Sequence, residues 1–94
     1  MAEGYEQQPL GIIPVYLGTV SNMNISNRKV GVIYMMNYIQ STNNTPVVNT
    51  SGYSFLFVNS DSTEYGRQIA ISNSGIYTRN IAQNTYGSWS AIIQ

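Results

Sequence analysis

Arg67-Gln-Ile-Ala-Ile-Ser-Asn-Ser-Gly-Ile-Tyr-Thr-Arg-Asn-Ile81 reads as two strands and the turn between them. Arg67, Ile69 and Ile71 alternate with Gln68, Ala70 and Ser72, the period of two in which successive side chains leave a strand on opposite faces. Asn73-Ser74-Gly75 supplies a tight turn, because Asn and Gly accept positive φ, and the chain returns over Ile76 to Ile81. Upstream, Gly52-Tyr-Ser-Phe-Leu-Phe-Val58 sets Tyr53, Phe55 and Phe57 on one face and Ser54, Leu56 and Val58 on the other. Both faces are largely apolar, which predicts a central strand. Lys29 to Ile39 is a long strand, since Gly31 and the Val, Ile and Tyr content outweigh the helical leaning of Met35 and Met36. Gly11 to Val20 is rich in β-branched residues but broken by Pro14, which cannot donate to a ladder. It suits an edge strand or an extended arm on a neighbouring subunit. Ser21 to Asn27, Ser41 to Ser51 and Asn59 to Glu64 read as loops, the second with a short pairing at Val47-Val48, and Asn84 to Gly87 reads as a turn. Trp89 to Ile93 is the closing strand. The expectation is an all-β domain without a helix: a small antiparallel sheet or sandwich, knob-like, with an extended N-terminal arm. Residues 1–20 are the arm, for attachment or oligomerisation, and residues 21–94 the knob.

Composition narrows the function classes. The chain has 94 residues, room for one domain with a thin core, for which assembly is a natural remedy. Charged residues are 9% of it, against roughly 25% in an average soluble domain, and Asn, Ser, Thr and Gln take their place. Such a surface has little long-range field to repel another copy of itself. Nucleic-acid binding is not expected, because clustered Lys and Arg are needed and only Arg28, Lys29, Arg67 and Arg79 exist. With no Cys, disulfides, zinc fingers and thiol catalysis are excluded. The N-terminus lacks a positive segment followed by an apolar one, so no signal peptide is read there. No apolar run approaches the eighteen or so residues of a membrane span, so no membrane insertion is expected.

Candidate chemistry is sparse. Without His or Cys, the acid–base candidates are Glu3, Glu6, Asp61 and Glu64. Asp61 and Glu64 suggest a glycosidase pair, but they sit in a polar turn where acids serve solvation, and the Asn59 to Glu64 loop has too few carboxylates for calcium. The expectation is no enzyme, no metal and no cofactor. Trp89 with Tyr77, Tyr86 and Tyr53 forms a candidate sugar platform, since aromatic faces match the apolar face of a pyranose. The competing reading is that the single Trp closes the small core. Arg79, on the face of Tyr77, has two candidate partners: a carboxylate at Asp61 or Glu64, or the face of Trp89.

Tyr77, Arg79, Trp89, Ser90 and Ala91 follow in order a pattern, a Tyr and Arg on a strand and then a loop closing on Trp-Ser-Ala, that resembles the pyocin-knob type of domain near the ends of phage tail fibres and related tailocin fibres. Gly52 to Val58 falls where that family has its preceding apolar strand. The likeness covers roughly residues 30 to 93. Ile92 stands where the pattern ends in a second aromatic, so a role built on paired tryptophans does not transfer. The resemblance implies a bacteriophage virion structural protein: a homotrimeric fibre, spike or peg located on the particle. Its residues 1–20 attach it to other virion proteins, and its knob faces outward with host-surface glycan as a candidate ligand of Trp89, Tyr77, Arg79 and Tyr86. If Met1 is the native start, a small accessory protein of the capsid or tail is expected, since little chain is left for a shaft. The alternative is a stand-alone carbohydrate-binding module, working as a monomer.

Overall fold

The computed structural model describes residues 13–93, which form seven strands and contain no helix. They are β1 (Val15–Thr19), β2 (Ile33–Tyr38), β3 (Gly52–Val58), β4 (Gly66–Ser72), β5 (Gly75–Ala82), β6 (Thr85–Tyr86) and β7 (Ser90–Ile93). All belong to one sheet in the order β1-β2-β3-β4-β5-β6, with β7 also on β5. The all-β expectation holds, and β3 is central, as its two apolar faces require. From β2 to β5 the sheet is an antiparallel meander. The outer edge of β5 is shared by β6 at Ile81 and Ala82 and by β7 from Ile76 to Thr78.

Several details depart from the sequence reading. Residues 1–12 of the expected arm lie outside the described residues. β1 does take the edge, but it pairs in parallel with β2, so the sheet is mixed. Parallel neighbours need a crossover of about a dozen residues or more, and residues 20–32 provide it. The ladder slips between Tyr16 and Thr19, where Gly18 adopts φ +77°, a conformation that costs glycine little. The strand expected from Lys29 begins only at Ile33, because Gly31 at φ +70° closes a turn in which Val32 N donates to Lys29 O. Val47-Val48 forms no strand: Asn44 and Asn49 flank it at positive φ, and the hydroxyls of Thr45 and Thr50 donate to Val47 O. The turn expected at Asn84 to Gly87 lies earlier, at Gln83 and Asn84, whose φ values of 53° and 66° mark a type I′ hairpin.

The core lies on one face of the sheet. Tyr34, Met36, Leu56, Val58 and Ile81 form one buried cluster, and Met23, Tyr38 and Ala70 a second, with Val20 packed against both. The crossover lies over this face, and Met23, set among asparagines, is wholly buried. At Gly52 the strands leave no room for a side chain, since a Cβ there would collide with the carbonyl oxygen of Ile71 and approach the Tyr38 hydroxyl at 2.8 Å.

Candidate functional site

The β4–β5 hairpin positions the centre of the covered face. Ser72 pairs with Gly75 across the turn, and the ladder then brings Gln68 opposite Arg79. Both point under the crossover: Gln68 is fully buried and Arg79 is 4% exposed. Arg79 Nε donates to Gln68 Oε1 (2.8 Å) and Nη2 to Met23 O (3.0 Å). Gln68 Nε2 donates to the same carbonyl (3.2 Å) and to Met36 Sδ (3.7 Å). The guanidinium carbon lies 4.3 Å from the ring centre of Tyr86 and 4.4 Å from that of Trp89. The cation is therefore held between two aromatic faces, each contact worth about 2 kcal/mol where water is excluded.

The flanking rings are held in turn. Trp89 Nε1 donates to Asn44 O (2.9 Å) and the Tyr86 hydroxyl to Ile25 O (2.7 Å). Arg28 approaches Tyr86 at 5.5 Å, donating from Nη1 to Ile25 O (2.6 Å), from Nε and Nη2 to Thr63 O, and from Nη2 to Asn84 Oδ1. The arrangement ties the crossover, the 59–65 loop and the β5–β6 turn to the sheet. Burial lowers the Arg79 pKa to about 10, against a smaller opposing effect of Tyr86, so the side chain is still a cation at neutral pH. Burial raises that of Tyr86, against which Arg28 works.

Three of the residues singled out from the sequence thus meet. Arg79 stacks on Trp89, and its hydrogen bonds go to an amide and a carbonyl rather than to Asp61 or Glu64. Tyr77 shares the face but is buried, its hydroxyl donating to Ser74 O (3.0 Å). Tyr53 lies on the opposite face of β3 and cannot join Trp89 in one platform. Asp61 and Glu64 are exposed in a loop shaped by Asn59 Oδ1, which accepts from the backbone N–H groups of Asp61 and Ser62. For Trp89 and Tyr86, one ring face is taken by Arg79, so a sugar ring has access only to what remains of a half-buried indole. A depression lined by Asn43, Asn44, Thr45, Val48 and Asn49 among others includes the residue whose carbonyl accepts from the indole.

Sequence reasoning missed Gln68, Met23 and Arg28. Counting back from the turn at Asn73 and Ser74 pairs Gln68 with Arg79, so that contact had a signal. Arg28 and the Met23 carbonyl had none, because both depend on where the crossover lands. Comparison of the chain with protein-family models, curated proteins and solved structures finds no match.

Proposed function

We propose that this chain is a bacteriophage virion structural protein: a small homotrimeric fibre, spike or peg whose β-knob faces outward and whose N-terminal segment attaches it to the particle. The observation that carries the reading is the use made of Tyr77, Arg79, Trp89 and Ala91, the residues of the knob-like pattern. Ala91 pairs with Tyr77 across the β5–β7 ladder, and Trp89 closes over Arg79, so the pattern acts as one closing device. Low charge and exposed apolar residues on β1, at Val15, Tyr16 and Leu17, support assembly. A host-surface glycan is the proposed ligand class, met through the outer side of Trp89 and the neighbouring asparagine-rich loops, whose short amides suit hydrogen bonding to sugar hydroxyls. Immunogold labelling of purified phage particles tests the function. Label on the particle exterior is the expected result; a chain found only free in the lysate overturns it.

A further inference from the structure

The face of the sheet opposite the core is more apolar than the core-bearing face at its centre. On β3 and β4 the covered face carries Ser54, Leu56, Val58, Gln68 and Ala70, while the other carries Tyr53, Phe55, Phe57, Ile69 and Ile71, with Arg67 opposite Phe57 at one end. Ile33 and Met35 of β2 continue that face, and Tyr16 of β1 reaches it through a hydrogen bond from Asn37 Nδ2 (2.9 Å). Tyr53 is 49%, Phe57 40% and Tyr16 57% exposed. Tyr53 and Phe55 already meet edge to face, with ring centres 6.5 Å apart. We propose that this open face is the surface through which copies of the chain pack on one another. The inference rests on the self-assembly in the reading above and gives it a location.

The occupant follows from what the two faces offer. A loop brings unpaired backbone carbonyls, and each must find a donor when buried. The covered face supplies donors to the crossover, Gln68 and Arg79 to Met23 O and Tyr86 to Ile25 O, while Arg28 of the crossover itself and Thr42 of the 41–51 loop donate to Ile25 O and Val20 O. The centre of the open face offers aromatic and aliphatic side chains instead. It fits a surface whose backbone is already paired, and another pleated sheet is such a surface. Its charge is confined to Arg67, near the end of β4 and bonded to Thr78 Oγ1 (3.1 Å), so identical faces meet with little repulsion. At about 4.8 Å between strands and 3.3 Å per residue, five strands of about seven residues cover roughly 500 Å². In the proposed trimer three copies turn this face toward a common three-fold axis, and together they bury on the order of 1,500 Å².

The chain lacks cysteine, so a single introduced thiol reports on one position. Phe57→Cys probes the open face, and Val48→Cys, at a residue 78% exposed in the 41–51 loop, is the reference. In the assembled state a maleimide is expected to react at least ten-fold more slowly with Phe57→Cys than with Val48→Cys, and dilution to the monomer should shrink the difference to about the two-fold that their exposures of 40% and 78% allow. A Phe57→Cys chain that loses its assembled mass while Val48→Cys keeps it supports the same conclusion. Equal rates in an assembled chain overturn the face assignment and leave the virion reading standing. Ten-fold protection that persists in a monomer overturns it too, since the face would then be covered within one chain. Assembly through this face in a protein absent from particles would instead overturn the virion reading alone.

Discussion

The two faces of the sheet solve different problems. The covered face receives an irregular segment, so it trades apolar area for hydrogen-bond donors, and Gln68 and Arg79 stand where an aliphatic pair would otherwise pack. The open face keeps the aromatics. Burying a guanidinium without a carboxylate costs several kcal/mol, offset here by two hydrogen bonds and two ring contacts. The difference teaches that polarity alone does not tell which side of a strand a small domain covers within one chain.

The comparison is sharpened most by removing its centre. Arg79→Ala should cost about 4 kcal/mol of stability, because it leaves a void, two displaced rings and an unpaired Gln68 oxygen. Urea unfolding measures this, and a loss below about 1 kcal/mol would mean the stack is not needed to hold the crossover. Adjacent residues on β3 give the next test. Leu56→Ala, at a wholly buried position, should cost about 3 kcal/mol, whereas Phe57→Ala in dilute monomer should cost less than about 1 kcal/mol. Equal losses would erase the distinction between the faces. Gly52→Ala should lower stability by about 2 kcal/mol, since its Cβ meets the backbone of Ile71 rather than a side chain that can move.

Smaller effects concern buried phenols. The Tyr38 hydroxyl lies buried without a hydrogen bond of good geometry, so Tyr38→Phe should be neutral or stabilise by up to about 1 kcal/mol in thermal melts. Burial raises the pKa of Tyr38 and of Tyr86 above the ordinary 10.0. Between pH 10 and those raised values the unfolded chain has lost protons that the folded one keeps, so stability falls as pH rises through that window. Arg79 acts with the opposite sign, because its folded pKa of about 10 lies below its unfolded one. Tyr86→Phe should therefore make the protein less sensitive to alkali, as read from the pH at which near-ultraviolet circular dichroism is lost.

The hairpin, the central strand and the closing strand were legible in the sequence because each rests on local signals: alternation at Arg67 to Ser72, a turn at Asn73 and Ser74, and apolar residues on both faces of Gly52 to Val58. The parallel pairing of β1 was not, since it depends on where a loop with little periodicity lays Met23. A lone Met and Ile in a run of Asn and Ser were the one trace of that burial. Of the candidate site, the meeting of Arg79 and Trp89 was among the readings the residues allowed. The third layer, Tyr86, required the turn at Gln83 and Asn84, two residues earlier than composition suggests.

Solution mass across a range of concentrations tests the central claim most directly. Light scattering should give a mass near three times 10.4 kDa, reduced to that of the single chain by Phe57→Glu with the circular dichroism of the sheet retained. A strict monomer at every concentration would contradict the account.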